Sequence, residues 1–287
     1  MNVLVLGANG QVGSAVLRAG PASHTAIAKT RGELDITDEN AVTQLLSEQQ
    51  ADWIVNAAAY TAVDRAEDET AQARAINDTA VGVLARAAAR AGSRLLHLST
   101  DFVFDGQSTR AYQPQDQTHP LNVYGATKLA GERRALEAGD VVVLRTAWVY
   151  AAAGRNFVLT MLRLMREREE VRVVADQIGS PTWAGGIAPA IWELIAVGAP
   201  TGLYHWTDLG VASWYDFAVA VQDEAITRGL LTRAVPVVPI TSGEYPTRAR
   251  RPAFSVLDSA ATRRLVKAPS RHWRQNLRLM LDELRTA

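Results

Sequence analysis

Short apolar runs alternate with amphipathic stretches through the first half of the chain. Residues 3–6 are apolar without a break, as a strand covered on both faces requires. A helix is expected from Ser14 to about Gly20 and a second strand over residues 25–29. Asp38 stands as an N-cap for a helix over residues 39–50, with Val42, Leu45 and Leu46 as its apolar stripe. Strands follow at residues 53–56, 95–98 and 141–146. Between them the pattern predicts one long alanine-rich helix over residues 68–91, stopped by Gly92, and a second helix over residues 124–139. Strand–helix alternation at this spacing predicts an α/β fold: a Rossmann-like, doubly wound parallel sheet.

The second half changes character. It carries five of the seven tryptophans, at positions 183, 192, 206, 214 and 273. Helices are expected over residues 156–170, 185–197, 213–228 and 272–284, with short strands over 171–174, 202–205 and 235–239. A boundary near residues 149–155 would separate a dinucleotide-binding domain (1–150) from a smaller sugar-nucleotide-binding cap (151–287). Some later segments are expected to complete the sheet.

Composition narrows the function. Of 287 residues, 48% are hydrophobic and 21% charged, enough for a sizeable core. Thirty basic residues balance thirty acidic ones, so the electrostatic case for a nucleic-acid partner is missing. The chain has no cysteine, which excludes disulfides, thiolate metal sites and a Cys nucleophile. The five histidines show no ligand spacing, so no metal site is expected from them. No apolar run approaches the roughly 20 residues of a membrane span, and the first residues lack a signal-peptide pattern. A cytoplasmic protein with no membrane partner is the expectation.

Gly7-Ala8-Asn9-Gly10-Gln11-Val12-Gly13 lies between the first strand and the first helix. Gly7 permits a tight turn, Gly10 lets backbone approach a pyrophosphate, and Gly13 lets helix and strand pack closely. The helix N-terminus supplies free N–H groups and positive dipole. The end of the second strand normally distinguishes the two nicotinamide cofactors. Lys29 and Arg31 favour NADPH, while Glu33 and Asp35, about twenty residues past Gly13, leave NADH open.

Tyr124 and Lys128 are four residues apart and share one helix face about 6 Å apart. A neighbouring ammonium is expected to lower the tyrosine's pKa and suit it for proton transfer. Ser99-Thr100-Asp101 places two hydroxyls and a carboxylate where the fourth strand ends, the side of an open α/β sheet on which ligands bind. Each motif also has a plainer reading, as a strand–helix turn, a surface pair and a strand-closing turn respectively.

Together these motifs resemble the extended short-chain dehydrogenase/reductase family, and within it the dTDP-4-dehydrorhamnose reductase branch. Further phrases carry the resemblance: Asn56-Ala57-Ala58-Ala59-Tyr60-Thr61, Leu121-Asn122-Val123-Tyr124-Gly125-Ala126-Thr127-Lys128, Arg145-Thr146-Ala147-Trp148, Asn156-Phe157, Asp176-Gln177-Ile178-Gly179-Ser180-Pro181-Thr182 and Arg251-Pro252. The resemblance implies hydride transfer from NADPH to the C4 keto group of dTDP-4-dehydro-L-rhamnose. It implies Tyr124 as proton donor, Lys128 as ribose anchor and tuner of Tyr124, and Thr100 as the group orienting the keto oxygen. Gly10, Gln11 and Val12 would bind pyrophosphate, and Asp35 and Ile36 would flank adenine. Ala59, Tyr60, Thr61 and Leu98 would border the dinucleotide. Asp101 and Trp148 would touch the sugar nucleotide, with Asn156 and Arg251 on its diphosphate.

Phe102 departs from the family pattern, in which tyrosine often follows Thr-Asp. That bears on which keto sugar is preferred and which face is reduced. Some relatives bind magnesium at a dimer interface. The last residues here lack an obvious acidic cluster, so magnesium and a homodimer stay open without a site. The competing readings are a related 4-keto-6-deoxyhexose reductase with another C4 stereochemistry, a sugar-nucleotide epimerase or dehydratase, and a non-catalytic regulatory subunit of the methionine adenosyltransferase type.

Overall fold

A computed structural model describes residues 1–286. Its centre is a six-stranded parallel sheet. The strands are β1 (Asn2–Leu6), β2 (Thr25–Lys29), β3 (Trp53–Asn56), β4 (Arg94–Thr100), β5 (Val141–Thr146) and, after the short outer strand β6 (Val171–Val174), β7 (Gly202–His205). Their spatial order is β7-β5-β4-β3-β1-β2. The sheet thus takes its outer strand from the second half of the chain.

Alternation along β1 explains the layering. Val3 and Val5 enter one core with the helices α1 (Gln11–Arg18) and, later in the chain, Ala184–Ala196. Leu4 and Leu6 enter the other with α2 (Glu39–Gln49) and α3 (Ala80–Arg90). The other helices of eight residues or more are α4 (Val123–Ala138), α5 (Phe157–Glu167), α6 (the Ala184–Ala196 helix), α7 (Trp214–Thr227) and α8 (Trp273–Thr286). A third core joins α5, α7 and α8 beside β6, which pairs in parallel with β8 (Val237–Ile240).

Local signals placed most elements within a few residues. Asp38 caps α2 by accepting from the Ala41 N–H, and Ser213 and Asp216 form a reciprocal cap on α7. Two expectations are corrected. The long helix expected over residues 68–91 runs without a break over residues 70–90 but is not regular: Thr70–Arg74 is followed by a π-turn at Ala75–Thr79 and then by α3. The π-turn buries two polar residues: Asn77 bonds to Tyr60 and Thr127, and Asp78 pairs with Arg134. The expected strand over residues 235–239 lies two residues later at its start, because β6 pairs with residues 237–240. No helix among the described residues is long and apolar enough to cross a membrane.

Candidate active site

The glycine turn after β1 is built by close approach. Gly7 has φ +73°, and a Cβ there would stand 2.7 Å from the Ala58 nitrogen. A Cβ on Gly13 would stand 2.2 Å from the Gly7 carbonyl oxygen, so helix and turn can meet only without one. Gly10 precedes α1 and offers no side-chain cap, leaving the first-turn N–H groups for an anion. Beside this turn is a cleft of about 210 Å³ lined by Gly7, Gly10, Lys29, Arg31, Asp35, Ile36 and Ala59. Glu33 accepts from the backbone and hydroxyl of Thr30, and Asp35 does the same with Thr37. These bonds hold both carboxyls below their ordinary range. Both acids are therefore engaged within their own turns, while the cations Lys29 and Arg31 line the cleft.

Gln11, Val12, Gly13, Tyr60, Thr61 and Leu98 do not line that cleft. Gln11 accepts from Asn156 Nδ2 at 3.1 Å. Tyr60 is held at its backbone by Asn77, which accepts from its N–H and donates to its carbonyl, and its hydroxyl donates to Glu69. Thr61 follows Tyr60 on the same connection, and Leu98 offers its carbonyl to Lys128.

Tyr124 lies in the first turn of α4. Asn122 caps that helix through Gly125 N at 2.8 Å and donates to the Arg250 carbonyl. The Phe102 ring meets Tyr124 edge-on with centroids 5.7 Å apart. A Cβ on Gly125 would stand 2.2 Å from the Phe102 carbonyl oxygen, so glycine allows α4 to reach the end of β4. There Thr100 donates to Asp101 Oδ1 at 3.0 Å and accepts from Phe102 N at 3.2 Å. Asp101 is fully buried and its second oxygen has no partner within the chain, an acceptor left for something else. Burial raises Asp101 to about 6, and the Thr100 hydroxyl opposes this.

The expectation that Lys128 lowers the Tyr124 pKa is corrected. Burial pushes Tyr124 up to about 12; the Thr100 hydroxyl opposes this and the Asp101 charge adds to it. Lys128 faces elsewhere: its Nζ donates to the Leu98 carbonyl at 2.7 Å and lies 3.2 Å from His97 Nε2. Burial pulls Lys128 down to about 8, against the raising effect of Glu132 one turn further along. Glu132 in turn forms a buried two-bond ion pair with Arg145 of β5, at 2.9 and 2.6 Å.

A larger cavity of about 710 Å³ lies between α5 and the β6–β8 pair, lined by Phe157, Gln177, Trp214, Tyr245, Arg168 and Arg251 among others. Trp214 stacks flat on Trp148, with centroids 3.5 Å apart. Trp148 has φ +48°, an uncommon conformation for a residue with a Cβ. It stands just past Thr146, the β5 register partner of Thr100, and so links the cavity wall to the strand ends. Asn156 caps α5 and donates to the Ala151 carbonyl as well as to Gln11. Arg251 pairs with Asp64 at 2.8 and 3.1 Å. Among the described residues no group of three or more His, Asp or Glu side chains could hold a metal.

Three contributors escaped the sequence reading. Asn56 and His97 were visible only as polar residues inside apolar strands, and Asn77 was hidden within a presumed regular helix. Asn77 fixes Tyr60 and also donates to Thr127 on α4.

The chain matches the family described as RmlD substrate binding domain over residues 1–286. It is 43% identical to a dTDP-4-dehydrorhamnose reductase of Burkholderia thailandensis, over 99% of both chains. A solved dTDP-4-dehydrorhamnose reductase of Clostridium acetobutylicum superposes with a TM-score of 0.93 at 35% identity, covering 99% of this chain and 100% of that one. Another, from Bacillus anthracis in complex with NADP, gives 0.92 at 34%, covering 98% and 99%. With glycine turn, Thr100, Tyr124 and Lys128 gathered at the strand ends, this chain belongs to the dTDP-4-dehydrorhamnose reductase family.

Proposed function

We propose that this chain reduces the C4 keto group of dTDP-4-dehydro-L-rhamnose with NADPH, giving dTDP-L-rhamnose. Its family membership and the NADP-bound relative support the reaction and the cofactor. The observation that carries the chemistry is buried Thr100 beside half-buried Tyr124 where β4 ends, with Lys128 one turn along α4. The glycine turn is the test of fit for the cofactor: backbone stands where any Cβ would fall, beside an uncapped helix N-terminus and two cations. NADPH, when bound, supplies the hydride.

The protein supplies position and a proton. A tyrosine raised to about 12 is protonated at neutral pH, the state that a reduction requires of its acid. Thr100 and Tyr124 would hydrogen-bond the keto oxygen, and Tyr124 would give its proton as charge develops there. With NADPH and substrate excluding water, the tyrosinate left behind would be stabilised by Lys128 as ammonium, which would weaken the hold of Tyr124 on its proton in the loaded site. The 710 Å³ cavity would take the dTDP moiety, with Arg251 exchanging Asp64 for a phosphate. Asp101, through its unpartnered oxygen, and Trp148 would border the sugar. We place this reaction in the cytoplasm, where NADPH is regenerated.

The test is loss of NADPH absorbance with dTDP-4-dehydro-L-rhamnose generated in situ, and identification of the product sugar by NMR. Oxidation yielding dTDP-L-rhamnose is expected. The C4 epimer as product would keep the chemistry and change the stereochemical assignment. No oxidation by protein that still binds NADPH would overturn the reading.

A further inference from the structure

Asn56 and His97 are register partners on β3 and β4, and both are fully buried. Their side chains form a hydrogen-bonded series that ends at Lys128. The direction of every bond in it is set at the far end. The Ala58 backbone N–H reaches Asn56 Oδ1 at 3.1 Å, and an N–H only donates. That atom is therefore the amide oxygen, and the amide NH₂ faces His97 Nδ1 at 3.1 Å. Nδ1 must accept. A neutral imidazole carries one N–H and one bare nitrogen, and burial keeps His97 neutral, well below its ordinary range. The ring proton is consequently on Nε2, 3.2 Å from Lys128 Nζ. An ammonium has no lone pair with which to accept it; a neutral amine does. The Leu98 carbonyl accepts from Lys128 in either state.

We propose that His97, locked by Asn56 as the Nε2–H tautomer, is a positioning residue that aims a donor at Lys128 and weakens its hold on the ammonium proton. The proposal rests on the reading of Lys128 as the cation that supports Tyr124. The charged groups around the pair are few. Glu132, on the same helix, favours the ammonium, and its own charge is met by Arg145 from β5. Asn56, on β3, brings no charge. With His97 and Glu132 opposed, a new negative charge, such as a tyrosinate, tightens the hold of Lys128 on its proton.

The chain has five histidines and three lysines, so both groups are accessible to NMR with selective labels. Long-range ¹H–¹⁵N spectra of the wild-type protein should show His97 protonated at Nε2 and bare at Nδ1 on both sides of pH 8. In Asn56→Asp the carboxylate accepts from Nδ1, so the ring should switch to the Nδ1–H tautomer and accept from Lys128. The Lys128 titration, followed by ¹³C, should then move up so that the proton is held at least about tenfold more tightly. The double variant Asn56→Asp, His97→Phe keeps the new charge and removes the ring, and should show a smaller rise. Wild-type His97 protonated at Nδ1, or an equal rise in the single and double variants, would overturn the proposal. These readouts require no turnover, so a failure of the assigned reaction would appear separately, as a Lys128 variant with full activity.

Discussion

Lys128→Met should trade activity for stability in a way that depends on pH. Lys128 is buried, and desolvation lowers its pKa from 10.5 in the unfolded chain to about 8 in the folded one. At about 1.4 kcal/mol per pH unit, keeping the ammonium folded costs about 3 kcal/mol. The sign follows from proton counting. Below pH 8 both states hold the proton and the full cost is present. Between 8 and 10.5 the unfolded chain binds a proton that the folded chain has released, so wild-type stability rises with pH. Methionine fills a similar volume and does not titrate. It also strands the Leu98 carbonyl, at a cost of about 1–3 kcal/mol that does not change with pH. The wild type should therefore gain about 3 kcal/mol on the variant between pH 7 and pH 10.5. Urea unfolding followed by tryptophan fluorescence at several pH values measures this, and turnover at neutral pH should be lost in the same variant. A stability difference that stays flat across the window would refute the burial argument.

Tyr124→Phe should lower kcat by about 10²–10⁴-fold and leave NADPH affinity unchanged in a fluorescence titration, since the hydroxyl is the proposed proton donor. Full activity would remove that assignment. Arg31→Ala should weaken NADPH by about tenfold to a hundredfold, the worth of hydrogen bonds to a charged phosphate, and leave NADH nearly unaffected. Equal losses with both cofactors would contradict the phosphate reading. Arg145→Met leaves the Glu132 carboxylate buried without its partner and should cost about 3–5 kcal/mol in chemical unfolding. The double variant Glu132→Met, Arg145→Met should recover most of that loss.

Much of the site was legible because its signals are local. The glycine spacing from Gly7 to Gly13 follows from how close a backbone must come to its own turn, and three glycines one helical turn apart record it. Tyr124 and Lys128 share a helix face by periodicity alone. The apolar runs of β1, β3, β4 and β5 state that both faces of the sheet are covered, which is a property of each strand separately.

What escaped depends on neighbours far away along the chain. Arg251 reads as a free phosphate clamp until Asp64 is found beside it, and Asn156 as a diphosphate contact until its amide is seen bonding to Gln11 and Ala151. The π-turn exists because Asn77 must reach both Tyr60 and Thr127, two demands from separate segments. Sequence by itself determined the parallel α/β fold, the glycine turn, and the pairing of Tyr124 with Lys128 on one face. Only the tertiary structure decided that Gly202–His205 closes the sheet, that His97 stands between Asn56 and Lys128, and that Tyr124 is raised rather than lowered. The reason is physical: helix and strand periodicity come from the backbone's own geometry, whereas desolvation and hydrogen-bond direction are set by whatever the fold packs alongside.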